Sequence, residues 1–316
     1  MTTPIIQPLE SLRLAQYAMP VPCYICGTDN TLDAEFCTHC AAPMALAHQA
    51  VTQQIAPQMV ATMGASGAGK TVYLGMLIDM LSQRPDAARL LARGAFSITL
   101  QQSTISALGQ CEFPDKTPNE PDHWNWVHCQ VRKPEAKQPM ELIMPDMAGE
   151  ALLAEIDHPR TYRVVRAFLA KSAGALILVD AVKMVEGIRR EDFFTMKLLS
   201  YLSELSVDGR TGWCDRPLAI VFTKADQCEE CAEDPAAFAR EHAIGLWEHC
   251  RERFRRHRFF AAGVAGSCAM LESFHEGRQA VPLRVEPHGV IEPFLWLLEQ
   301  LPARKRGKSA LQWKKS

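Results

Sequence analysis

The chain has 316 residues, 47% hydrophobic and 22% charged, enough apolar surface for one large core with a small appendage, and it reads as a soluble globular protein. Its 34 basic and 36 acidic residues give a net charge of −2, and the six basic residues between Ala303 and Ser316 leave about −8 for the rest, which argues against simple coating of nucleic acid. No apolar run reaches about 18 residues, and Met1 to Pro20 holds no basic stretch followed by an apolar one. The expectation is a chain that neither spans a membrane nor is exported. Its eleven cysteines, an odd number, suit the reducing cytoplasm better than a disulfide framework.

Residues 1–20 contain three prolines and one short helical stretch, Leu9 to Tyr17, and read as a docking arm. Residues 21–43 form a cysteine module in which Cys23, Cys26, Cys37 and Cys40 are spaced C-x₂-C-x₁₀-C-x₂-C. Two such knuckles point to one tetrahedral Zn²⁺ held by four thiolates at about 2.3 Å, a closed and therefore structural shell. So short a segment buries too little surface to fold alone, so metal binding is expected to supply folding free energy. Gly27 fits a tight turn donating N–H groups to sulfur. His39 is an alternative ligand inside the second knuckle, and iron in a rubredoxin-like site an alternative metal. With no Lys or Arg against Asp29, Asp33 and Glu35, the module would repel a phosphate backbone, and a protein contact is favoured over nucleic acid.

Residues 44–57 carry little apolar pattern and read as a linker. From residue 58 to 302, short apolar runs alternate with helical stretches: Met59–Met63, a helix over Thr71–Leu81, then Met140–Met144, Ala175–Val179 and Leu218–Phe222. Phe259–Val264 is expected to be the last strand, and Glu292–Leu301 a closing helix; Asp234–Arg258 reads as helical. This alternation predicts a mostly parallel sheet covered by helices. Residues 303–316 form a basic tail, with solubility as its simplest role.

Between the first strand and first helix of this domain lies Gly64-Ala65-Ser66-Gly67-Ala68-Gly69-Lys70-Thr71, followed by Val72, which matches G-x-x-x-x-G-K-[ST] in the strand-turn-helix setting its mechanism needs. Glycines let successive N–H groups and the helix N-terminus face one polyphosphate, Lys70 reaches the β and γ phosphates, and Thr71 ligates Mg²⁺. A carboxylate is then expected at the end of a neighbouring strand. Asp146 ends the strand Glu141–Asp146, and in the following Met147-Ala148-Gly149-Glu150 the N–H of Gly149 can turn onto a γ-phosphate. The strand Leu218–Phe222 runs into Thr223-Lys224-Ala225-Asp226. A carboxylate accepts from both guanine N1–H and N2–H₂, whereas adenine offers no donor there, so Asp226 selects guanine. Lys224 would lay its stem along base and ribose. Thr223 stands where an asparagine is commoner, a departure expected to loosen the packing of the nucleotide loops. Gly266-Ser267-Cys268-Ala269, after the expected last strand, puts a backbone N–H on the base carbonyl.

These four blocks in this order resemble the P-loop GTPase superfamily, in its translation-factor-related and Ras-like branch, over residues 58–302. The resemblance implies a P-loop NTPase three-layer α/β sandwich beside the zinc ribbon, with GTP or GDP and Mg²⁺ as ligands. It also implies a switch threonine between the first helix and Asp146; Thr117 is the choice, with Thr99 and Thr104 competing. Family members carry a water-orienting glutamine where this chain has Glu150, which cannot donate to the γ-phosphate and adds negative charge, so slow intrinsic hydrolysis is expected unless a partner, or Arg160, Arg163 or Arg166, supplies a cation. The intervals Lys70–Asp146 and Asp146–Lys224 exceed those of a minimal small GTPase and leave room for structure that meets a protein partner. Together with the cysteine module the pattern looks like the bacterial double-GTPase family, whose resemblance implies a role in multi-gene conflict or signalling systems. An ATP-dependent regulator and a nucleotide-stabilised scaffold without turnover are the competing readings. Cys228-x-x-Cys231 lacks a partner pair, the arginines from Arg251 to Arg258 read as an exposed helix face, and Trp124 with Trp126 reads as packing on one strand face.

Overall fold

The computed structural model describes residues 19–53, 57–83, 88–133, 139–205, 213–273 and 277–301. The Leu9–Tyr17 stretch and the basic tail lie outside the described residues. Strands Val21–Pro22 (β1) and Asp29–Asn30 (β2) pair antiparallel and carry the cysteine module. The segment expected to be a linker is instead largely a helix, Met44–Gln53 (α1). Its Met44, Leu46, Ala47 and Ala50 are buried at three- and four-residue spacings, a stripe too short and alanine-rich to stand out in the sequence.

The main domain then runs Gln58–Gly64 (β3), Lys70–Gln83 (α2), Arg89–Arg93 (β4), Gly94–Gly109 (α3), Trp126–Arg132 (β5), Met140–Pro145 (β6), Gly149–Asp157 (α4), Arg163–Lys171 (α5) and Gly174–Asp180 (β7). It continues with Ala181–Val185 (α6), Arg189–Glu204 (α7), Leu218–Thr223 (β8), Glu229–Glu233 (α8), Pro235–His242 (α9), Ile244–Arg253 (α10), His257–Ser273 (β9), Gly277–His288 (β10) and Ile291–Gln300 (α11). The strands form an eight-stranded sheet ordered β10-β9-β8-β7-β3-β6-β5-β4. β6, β3, β7, β8 and β9 are mutually parallel, and antiparallel strands flank them on both sides.

Alternation along the central strands builds two cores. In β7, Ala175, Ile177 and Val179 face one side with α4, α5, α7, α9, α10 and the cysteine module; Leu176 and Leu178 face the other with α2, α3 and α11. The result is a three-layer α/β sandwich. A strand covered on both faces reads as a continuous apolar run, which is why β3, β7 and β8 were visible in the sequence. The cysteine module joins the first core through Ile25, Cys40 and Met44, and Tyr24 Oη donates to Pro57 O.

β9 differs from expectation. It runs to Ser273, well past Val264, and turns back through β10, whose register includes Met270 opposite Ala280 and Ser267 opposite Arg284. Its Gly, Ala and Ser residues resemble a loop, and cross-strand pairing is what makes them a strand. Among the described residues, no helix is long and apolar enough to cross a membrane.

Candidate functional site

The parallel strands end on one side of the sheet, and β3 has parallel neighbours on both flanks, β6 and β7, so the chain leaves the sheet in opposite directions around it. Such a switch point opens a crevice at the carboxyl ends of the strands. A cavity of about 470 Å³ lies there. Ser66, Gly67, Gly69, Lys70, Thr71 and Val72 line it, and so do Thr117, Gly149, Glu150, Thr223, Lys224 and Asp226. Gly64, Ala65 and Ala68 are not among its lining residues. Gly67 and Gly69 adopt φ of +79° and +80°, values that favour glycine and let the loop curl before α2. Lys70 is buried and donates to Gly64 O at 3.0 Å and Ala65 O at 2.9 Å. Burial lowers its pKa, with Asp146 and Glu150 opposing that shift.

Three oxygen-bearing side chains meet beside it. Thr71 Oγ1 and Thr117 Oγ1 donate to Asp146 Oδ2 at 2.9 and 3.0 Å and lie 3.1 Å apart. Asp146 is fully buried; burial raises its pKa, and Lys70 and the two hydroxyls oppose the rise. Its Oδ1 is buried without a hydrogen-bond partner. An all-oxygen cluster with an unsatisfied carboxylate oxygen fits a hard divalent cation. Of the competing threonines, Thr99 is exposed on α3, and Thr104 is buried against Gly75.

The loop carrying Thr117 rests on the two tryptophans. Trp124 Nε1 donates to Pro118 O at 2.8 Å, Trp126 Nε1 to Pro121 O at 3.4 Å, and their rings lie 6.3 Å apart. Packing is thus combined with support of the loop. Gly149 packs directly on the phosphate loop: a Cβ there would lie 2.4 Å from Ser66 N. Burial alone would raise the Glu150 pKa, but the Ser66 hydroxyl, its own N–H, Lys70 and Lys116 outweigh it and hold the carboxyl low.

At the far end of the cavity, Thr223 Oγ1 lies 2.9 Å from Ala68 O and 3.1 Å from Val179 O, so its hydroxyl ties the base-side loop to the phosphate loop. The threonine thus bridges this junction. Lys224, at φ +59°, donates to Asp180 Oδ2 at 2.5 Å. Asp226 is half-buried; burial raises its pKa, while its own N–H, Gln227, His288 and Lys224 oppose the rise. Gly263 gives it room, since a Cβ there would fall 2.7 Å from Asp226 Oδ1. Ser267, Cys268 and Ala269 lie within β9 and not in a loop, and of the three Cys268 lines the cavity. Arg160, Arg163 and Arg166 do not line it; the Arg160 N–H instead caps the buried Glu155 carboxylate. Besides Lys70, the cation acting on Glu150 is Lys116; Lys183 also lines the cavity, and no sequence motif marks either Lys116 or Lys183.

The family model described as Double-GTPase 1 matches residues 61–204, the stretch from the phosphate loop through the end of α7. Among solved structures, an ADP-ribosylation-factor-like GTP-binding protein (small COPII coat GTPase) from Encephalitozoon cuniculi in complex with GDP is 14% identical, with 77% of this chain and 79% of that one covered and a TM-score of 0.36. The signal recognition particle receptor SRb-GTP/SRX complex from Chaetomium thermophilum is 14% identical over 66% of this chain and 90% of that one, with a TM-score of 0.32. No curated protein matches the sequence. The intervals that are long in sequence are filled by β4 and α3 before Asp146 and by α4, α5 and α7 after it.

The second site is the cysteine cluster. The sulfurs of Cys23, Cys26, Cys37 and Cys40 lie within 4.8 Å of one another, with Cys23–Cys40 at 3.7 Å and Cys26–Cys37 at 3.5 Å. Ligands about 2.3 Å from a tetrahedral zinc are about 3.8 Å apart, so the sulfurs fit a zinc ribbon. The hydrogen bond from Cys40 lowers the Cys23 thiol to about 5 despite its burial. Asn30 Nδ2 reaches Cys37 Sγ at 3.5 Å, and Asn30 Oδ1 accepts from Thr38 N, a supporting shell that the spacing could not reveal. Gly27, at φ +83°, closes the first knuckle, but its N–H donates to Cys23 O and not to sulfur. His39 is exposed and outside the cluster.

Proposed function

We propose that this protein is a cytoplasmic guanine-nucleotide switch with slow GTP hydrolysis, stimulated by a protein partner, whose zinc ribbon docks protein and not nucleic acid. One observation carries the reading: Asp226, suited to guanine, and Lys70, suited to phosphate, line the same cavity, with the Thr71–Thr117–Asp146 cluster at its phosphate end. Ser66 to Val72 supply N–H groups to the polyphosphate. Thr71, Thr117 and Asp146 would hold Mg²⁺ or its waters, and the ion would neutralise charge on the β- and γ-phosphates. Gly149, already against the phosphate loop, would turn its N–H onto the γ-phosphate and carry α4 with it.

In hydrolysis a water oxygen bonds to the γ-phosphorus as the bond to the β-phosphate oxygen breaks; that oxygen keeps the electron pair, and the water proton leaves on inorganic phosphate. Glu150 can accept from the water but cannot donate to the γ-phosphate, which supports a slow rate. Binding of GDP, a non-hydrolysable GTP analogue and ATP, with and without Mg²⁺, tests the reading on wild type and Asp226→Asn. Guanine nucleotides should bind wild type at least about 100-fold more tightly than ATP, as a carboxylate left unpaired by the wrong base implies. Equal or better ATP binding would defeat the proposal, and tight GTP binding without phosphate release, even with partners present, would make the protein a scaffold.

A further inference from the structure

We infer that Lys183, on the short helix after β7, is a cis-acting lysine that contacts the terminal phosphates of the bound nucleotide and adds positive charge there. The inference rests on the proposed GTPase reading and deepens it.

Lys183 Nζ lies 3.4 Å from Ser66 O and lines the cavity. A Cβ on Gly67 would meet Lys183 Nζ at 3.9 Å and nothing closer, so no side chain stands between the ammonium and this part of the loop. The same residue of the loop carries the Gly149 contact, so Lys183 and the Gly149 turn meet the loop at Ser66. Lys70, by contrast, lies underneath, bound to Gly64 O and Ala65 O.

Lys183 is also held loosely. It is 3.4 Å from Glu191 Oε2 and 3.8 Å from Asp180 Oδ2, while Asp180 Oδ2 is only 2.5 Å from Lys224 Nζ. Strong charge-assisted bonds are nearer 2.7–2.9 Å, so Asp180 is committed to Lys224 and Lys183 keeps a long contact to Glu191. A flexible four-carbon stem can exchange that contact for a phosphate oxygen. As the β–γ bond breaks, the ammonium would stabilise charge gathering on the departing oxygen and on the γ-phosphoryl oxygens; it transfers no proton in this step.

The experiment measures GDP affinity, GDP–aluminium fluoride binding and single-turnover phosphate release for wild type, Lys183→Met, Lys183→Arg and Glu191→Gln. For Lys183→Met, GDP affinity should stay within about threefold, while phosphate release falls about 10²-fold, the usual effect of removing one charge-stabilising donor. Aluminium fluoride binding should be lost in parallel, and arginine should restore at least part of both. Glu191→Gln, which frees the lysine, should leave release unchanged or faster and keeps the test usable if Lys183→Met fails to fold. Unchanged release in Lys183→Met, equal losses of GDP affinity and turnover, or slower release in Glu191→Gln would overturn the inference. A wild type that binds no guanine nucleotide would instead overturn the reading beneath it.

Discussion

Asp226 can accept two guanine hydrogens only while ionised, and burial raises the pKa of its carboxyl above that of an ordinary aspartate although His288 and Lys224 oppose the rise. Protonation is therefore favoured on lowering the pH, and guanine affinity should weaken at a higher pH than an exposed aspartate would allow. Titrations of GDP from neutral to acid pH check this; the acidic limb should vanish in Asp226→Asn. That variant should also lose at least about 2 kcal/mol of GDP binding and gain affinity for xanthosine diphosphate, whose C2 carbonyl accepts from an amide. Gly289 makes a different kind of prediction. It has φ of +65°, and a Cβ there would lie 1.9 Å from Ala261 O, a backbone atom that cannot rotate away. Gly289→Ala should lose at least about 2 kcal/mol in denaturant unfolding, combining left-handed strain with displacement of β9.

Elements set what each of these residues can do. The loop from Phe113 to His123 owes its position to two buried indoles, Trp124 just before β5 and Trp126 at its start, which bond the loop's carbonyls. Trp124→Phe keeps most of the apolar volume but removes the bond to Pro118 O, worth about 1 kcal/mol. It should loosen Thr117 and weaken Mg²⁺-dependent binding of a GTP analogue several-fold, with GDP binding in the absence of Mg²⁺ little changed. The arginines from Arg251 to Arg258, expected on an open helix face, are spread over α10 and the start of β9: Arg251 and Arg258 lie over the rings of Trp247 and Phe260, and Arg256 donates to Gln300 O. Cys231 is buried beside Cys228 in α8, apart from the zinc-ribbon cluster.

Across the molecule, the zinc ribbon and the sheet share one core, through Ile25, Met44, Met59 and Ala61. Ribbon and main domain should then unfold together. Calorimetry on the metal-loaded protein should give a single transition, and a chelator should lower it by several degrees without splitting it; a separate ribbon transition would contradict the shared core. Saturating GDP at 100 times its Kd should raise the stability of the whole unit by about 2.7 kcal/mol.

The phosphate loop, Asp146, the Thr223–Asp226 block and the four cysteines were legible in the sequence because each chemistry needs a fixed set of residue types at short, local spacing. The central strands were legible because burial on both faces leaves unbroken apolar runs. Lys183, the tryptophan support of Thr117, the long β9–β10 hairpin and the packing of α1 were not. Each depends on which segments the strand order brings side by side, and no periodicity within one segment records its neighbour across the sheet. Thr223 shows the difference: residue type marks it only as a departure from asparagine, whereas the fold brings Ala68 O and Val179 O to its hydroxyl, which joins the end of β8 to the Gly64–Thr71 loop and to β7.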